Sequence, residues 1–128
     1  MPVAIAVDQM NTEKLTEFCL SLPGAAEAVK WEDHLCFTVG EKLFVITGFT
    51  DDSNVSIKVS EEDFEELTER EGIIPAPYMA HNKWVAVNKR SALKPKEWEH
   101  YLRQSYEIIK SKLPKRVRVQ IDGTGDKK

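Results

Sequence analysis

Apolar positions along the chain switch between two periods. In MNTEKLTEFCLSLPG, Leu15, Phe18, Cys19 and Leu22 stand at i, i+3, i+4 and i+7, one apolar stripe on a helix. Asn11 is the expected cap, Met10 and Leu15 hold the staple positions, and Pro23-Gly24 ends the element. The period then falls to two. Strands are predicted over AEAVKW (26–31), LCFTV (35–39), KLFVITGF (42–49) and NVSIKV (54–59), with Gly40-Glu41 as a two-residue hairpin turn. In the last of these, Val55, Ile57 and Val59 share a face, and DDSN before it is turn chemistry. Connections this short make an antiparallel meander.

The longer period returns in SEEDFEELTEREG. Ser60 caps this second helix, Asp63 sits at the third helical position, Val59 and Phe64 form the staple, and Gly72 is the stop. After a loop with Pro75 and Pro77, KWVAVN (83–88) reads as a fifth strand. LKPKEWEHYLRQSYEIIKSKLP is the last helix, with Pro95 in its first turn and Pro114 as its end. Its inward face is Trp98, Tyr101, Leu102, Ser105, Ile109 and Leu113. KRVRVQI (115–121) alternates and could add a strand, and DGTGDKK reads as a loose end. The order α-β-β-β-β-α-β-α predicts an α+β two-layer sandwich: an antiparallel sheet of about five strands with helices on one face. The other face is left to solvent or a partner. Residues 1–116 form the expected domain, and 117–128 the C-terminal tail.

Composition adds bounds. A chain of 128 residues, 41% hydrophobic and 30% charged, fits one ordinary globular domain that needs no metal or disulfide staple. No apolar run approaches the ~20 residues of a membrane helix, and MPVAIAVDQMN lacks the basic start of a signal peptide. A cytoplasmic monomer is the expectation, with Cys19 and Cys36 as buried free thiols. The net charge of −3 hides an asymmetry: residues 1–81 carry −11 and residues 82–118 carry +8. Such a split points to an anionic partner, or to two halves that attract each other in the fold.

Catalytic and metal motifs are sparse. The chain contains no G-x-S-x-G, P-loop or G-x-G-x-x-G. His34, His81 and His100 lie far apart, and consecutive Glu32-Asp33-His34 converge poorly on one ion. Glu61, Glu62, Asp63, Glu65, Glu66 and Glu69 read as a solvated helix face, helped at its start by the macrodipole. Cys36 and His34 share a strand face, and the predicted state is a buried thiol beside a loop histidine rather than a nucleophilic dyad. No enzyme and no cofactor are expected. The basic half carries the stronger signal. Lys96, Arg103 and Lys110 form a helical stripe, Lys83, Lys89 and Arg90 flank the fifth strand, and Lys110, Lys112, Lys115, Arg116 and Arg118 cluster beyond the last helix. Set against this, Glu99 and Glu107 could pair with the stripe. Tyr78 and Trp84 could stack on a base, although Trp84 is expected to pack on the last helix.

LPGAAEAVKW, CFTVGEKLFVI, VSIKVS, PAPYMAHNKWVAV and SYEIIKSKLPKR, in this order, resemble the MmcQ/YjbR family over about Leu15 to Arg116. The most specific pieces are Pro77-Tyr78 followed by Lys83-Trp84-Val85, and Ser105-Tyr106 before Lys112-Leu113-Pro114. The resemblance implies a CyaY-like (frataxin-like) α+β fold and a DNA-binding role, and it supplies no catalytic residues. The expected function is therefore binding of double-stranded DNA with little sequence preference. The expected phosphate contacts are Lys83, Lys89, Arg90, Arg103, Lys110, Arg116 and Arg118. The alternatives are a protein-interaction module using the open sheet face or the acidic second helix, and a weak frataxin-like metal binder.

Overall fold

The protein's computed structural model describes residues 10–30, 33–77 and 82–126, with side chains described to Asp122. Trp31, Glu32, Tyr78 and His81, which enter the readings above, lie outside them. Helix α1 (Thr12–Leu20) starts where Asn11 Oδ1 accepts the Lys14 N–H at 2.8 Å. Four strands follow: β1 (Ala25–Lys30), β2 (His34–Val39), β3 (Lys42–Thr47) and β4 (Val55–Lys58). Helix α2 (Glu61–Leu67) begins at Ser60, whose Oγ accepts from Asp63 N. Strands β5 (Ile73–Pro75) and β6 (Trp84–Val87), a 3-10 turn at Arg90–Ala92, and helices α3 (Pro95–Ser111) and α4 (Lys115–Asp126) complete the chain.

All six strands pair antiparallel in the order β1-β2-β3-β4-β6-β5. The meander and the α+β class are as the periodicity predicts. Gly40 and Glu41 make the β2–β3 turn with φ of 57° and 69°, both in the left-handed region a tight hairpin of this kind requires. One face of the sheet presents Phe37, Val45, Val55, Ile57, Val85 and Val87, all fully buried, and α3 packs over β3 and β4 with Trp98 and Leu102. In β3 the register slips so that Phe44 has no cross-strand partner. Ser105 of α3 fits this bulge: its Oγ donates to Phe44 O at 2.6 Å and accepts from Lys58 N at 3.0 Å. A serine on an apolar helix face is thus fully satisfied, and it locks α3 to β3 and β4 together.

Three expectations change. Strand β5 was expected to be loop. Two prolines weaken a strand signal, but at the sheet edge Pro75 removes no ladder bond the fold needs. Residues 115–121 are helical rather than an added strand. Alternation would put Val117, Val119 and Ile121 on one face, whereas the helix turns Val117 and Ile121 inward at i, i+4 and leaves Val119 58% exposed. Ile121 lies against Gly24, where a Cβ would stand 3.0 Å from its side chain. The second face of the sheet is not bare: Ala76, Trp84 and Ala86 form a small buried cluster with Ile46 and Ile109 against it. Trp84 is therefore a packing residue, in a cluster that Ile109 of the helix Pro95–Ser111 packs against, and both cysteines are free and buried.

Candidate nucleic-acid interface

The alternation that turns Val55 and Ile57 inward sends Ser56 and Lys58 to the other face of β4. Lys58 stands opposite Trp84, the first residue of β6. The chain enters β6 through a sharp turn in which Lys83 has φ 64°, a left-handed conformation that costs a lysine roughly 1 kcal/mol. Two contacts hold it: Val59 N donates to Lys83 O at 3.0 Å, and Lys58 Nζ donates to the Asn82 carbonyl. The same end of the molecule receives the last turn of α3, where Lys112 is the C-cap. Lys42, at the start of β3, lines a groove of about 300 Å³ with Ile109, Lys112 and Leu113. Gly40 makes room for this groove's floor, because a Cβ there would lie 2.5 Å from a Leu113 methyl.

Lys42, Lys58, Lys83 and Lys112 thus reach one end of the sheet from four parts of the chain. Burial, then the charges of Lys112 and Lys83, push the Lys58 ammonium below the ordinary lysine range. The charges that act on it are of its own sign. Ile109 and Leu113 line the groove beside the cluster.

The seven cations expected to contact phosphate do not form one surface. Lys83 belongs to the cluster, with its Nζ 4.9 Å from the Phe64 ring centroid. Lys89 lies at the other end of β6, 3.5 Å from Glu71. Arg103 sits on the α1 side of α3, over Phe18. Lys110 pairs with Asp122 of α4, not with Glu107, and that carboxylate raises its pKa. Arg118 donates its Nε–H to Leu113 O at 3.1 Å, covering an orphan carbonyl at the end of α3. Arg116 is exposed on α4.

Arg90 requires a correction: it is only 6% exposed and is not a surface cation. Its guanidinium donates to Met10 O at 2.9 Å, Ser53 O at 3.2 Å, and Thr12 Oγ1 and Thr50 O at 3.3 Å each. Asp51 and Asp52 partly offset the cost of burying it. Arg90 ties the start of α1 and the β3–β4 loop to the segment after β6, using all the donors a phosphate would need.

The remaining polar features are weaker candidates. A groove of about 480 Å³ is lined by Asp33, His34, Thr47, Asp52, Asn54 and Ser56 among others, with His34 Nδ1 2.7 Å from Asp33 Oδ1. Cys36 approaches the His34 backbone carbonyl, not its ring, and burial raises its pKa. Among the described residues, no three His, Cys, Asp or Glu side chains are placed to hold a metal ion, and no helix is long and apolar enough to cross a membrane.

Among solved structures, the chain is similar to protein DR2400 of Deinococcus radiodurans, described with the family-model domain DUF419. The two share 26% identity and a TM-score of 0.79, over 89% of this chain and 88% of that one. A protein from Pseudomonas syringae shares the fold at 20% identity and TM-score 0.65, over 78% of this chain and 99% of that one. No curated protein matches at a significant level. The YjbR family model matches residues 20–108, from the last residue of α1 through most of α3. The chain belongs to the YjbR family.

Proposed function

We propose that this protein is a non-enzymatic module that binds the phosphate backbone of duplex DNA through Lys42, Lys58, Lys83 and Lys112. The observation that supports the reading most is that Lys58, Lys83 and Lys112, from separate elements, come to one end of the sheet, where the charges of Lys112 and Lys83 act on Lys58. Assembling like charges works against folding, and an incoming polyanion supplies the missing countercharge. The cluster contains flexible ammonium groups and no forked donor aimed at a base edge, so it positions a backbone without reading sequence. Cytoplasmic placement and the monomeric state belong to the same reading.

The test is duplex affinity, by fluorescence anisotropy, across a salt series. Four phosphate contacts predict a slope of log K against log salt of about −3 to −4. Neutralising Lys58, Lys83 and Lys112 together to Gln brings the slope to about −1. Neutralising Arg103 and Lys110 leaves it unchanged. A slope insensitive to the first set, or abolished by the second, overturns the assignment.

A further inference from the structure

We propose that the groove between the β2–β3 turn and the end of α3 binds a small monocarboxylate with a short apolar body, its carboxylate at Lys42 and Lys112 and its body on Ile109 and Leu113. The inference goes beyond duplex binding and does not rest on it, although the two share these lysines.

The groove holds about 300 Å³ and is lined by Lys42, Ile109, Lys112 and Leu113. That is the lower end of the range for ligand clefts, roughly 300–1,000 Å³, and it suits a small molecule. Lys42 opens β3 directly after the Gly40-Glu41 turn, Ile109 stands in the last turn of α3, and Lys112 and Leu113 follow as that helix ends. The floor is fixed from two sides. A Cβ on Gly40 would lie 2.5 Å from the Leu113 side chain, so the turn is already packed against it. The Leu113 carbonyl also accepts the Arg118 Nε–H from α4. A floor held in this way costs a ligand little ordering.

The lining contains no carboxylate. Lys42 and Lys112 are exposed, and among the described residues neither stands in an ion pair, Glu41 beside Lys42 included. Lys110 is the internal contrast, because Asp122 takes its ammonium group. A cation at the end of a helix complements the dipole, which accounts for Lys112. Lys42 starts a strand, where the dipole is small, so nothing of that kind accounts for it. Two unmatched cations beside an aliphatic floor fit a ligand with both characters. A phosphate alone would leave the floor unused, and a neutral apolar molecule would leave the cations unused. A second charge on the body would be desolvated over Ile109 and Leu113 without a partner, which selects a monoanion.

The experiment is an amide-resolved NMR titration of the full chain, free of DNA, with sodium hexanoate as the probe and acetate and n-hexanol as controls. Hexanoate should give saturable shifts centred on residues 40–42 and 109–113. Acetate should give none there, and hexanol should bind several-fold more weakly. Each CH₂ added from butyrate to hexanoate should tighten binding by up to about fourfold. Lys42→Gln with Lys112→Gln should bring hexanoate down to the affinity of hexanol. Ile109→Ala should weaken hexanoate several-fold and leave duplex affinity unchanged; where that variant folds poorly, the chain-length series on the unaltered protein decides. With no DNA present, failure of the duplex salt series leaves a positive result standing, and loss of hexanoate binding leaves the duplex reading standing. Equal shifts from hexanol and hexanoate, shifts centred elsewhere, or an affinity that does not rise with chain length would each overturn the proposal.

Discussion

Replacing Arg90 should unfold the protein more readily than any change to the cations that remain at the surface. Arg90→Met keeps the apolar stem and removes the guanidinium. Two of its hydrogen bonds are of ordinary length, to Met10 O and Ser53 O, and two are long, to Thr12 Oγ1 and Thr50 O. Bonds from a charged donor are worth roughly 1 kcal/mol or more each, and the long pair about half that, giving about 3 kcal/mol in total. The Met10 carbonyl bond is the buried one, so its loss leaves an acceptor that water reaches poorly. The Trp98 Nε1–H bond to the Arg90 carbonyl survives, because it uses the backbone. With a urea dependence of about 1.5 kcal/mol/M, the midpoint should fall by about 2 M with its slope unchanged. Arg90→Lys should recover less than half of the loss, since an ammonium cannot span four acceptors. Exposed Arg103→Gln serves as control and should change stability by under about 0.5 kcal/mol. An Arg90→Met loss below about 1 kcal/mol would mean that the guanidinium is not the clip described.

Two further predictions concern the frame of the site. Arg70 grips Glu97 through its two terminal guanidinium nitrogens, at 3.2 and 2.9 Å, and Glu97 also accepts from Lys94 N, so its pKa is lowered. Its contribution is present above the unfolded glutamate value of about 4.3 and is lost as pH falls through the lower folded value. The pair is about a third exposed, so Glu97→Gln should cost under about 1 kcal/mol at pH 7, by chemical denaturation. That gap should close in acid; a gap that persists there would show that protonation of Glu97 is not its source. Gly40→Ala places a Cβ at φ 57° and 2.5 Å from Leu113, and should lower the melting temperature by about 5 °C or more. It should also weaken the proposed duplex binding through the displaced groove floor, and unchanged melting would contradict the hairpin geometry.

The sequence was most legible where local rules act alone. Asn11 and Ser60 cap the helices they were expected to cap, and Gly40-Glu41 turns the predicted hairpin. Val117 and Ile121 satisfy both a period of two and an i, i+4 spacing, so only their packing against the core decides for helix. Strand β5 is three residues long and exists because β6 offers it an edge, a fact about pairing rather than propensity. The site was the least legible part. Alternation already placed Lys58 opposite Ile57 in face, and Lys112 was visible among the C-terminal cations. Their meeting depends on β6 inserting between β4 and β5, and on α3 running back over β4. Arg90 looked like its basic neighbours because burial leaves no local mark on a 3-10 turn.

Whether an anionic backbone sits across the lysine end of the sheet, as proposed, can be read residue by residue from amide NMR with a short duplex. Saturable shifts centred on Lys42, Lys58, Lys83 and Lys112, fading as salt rises, are the expected result. Shifts centred instead on Arg103, on Arg116 and Arg118 or on the acidic α2, or none at low salt, would contradict it.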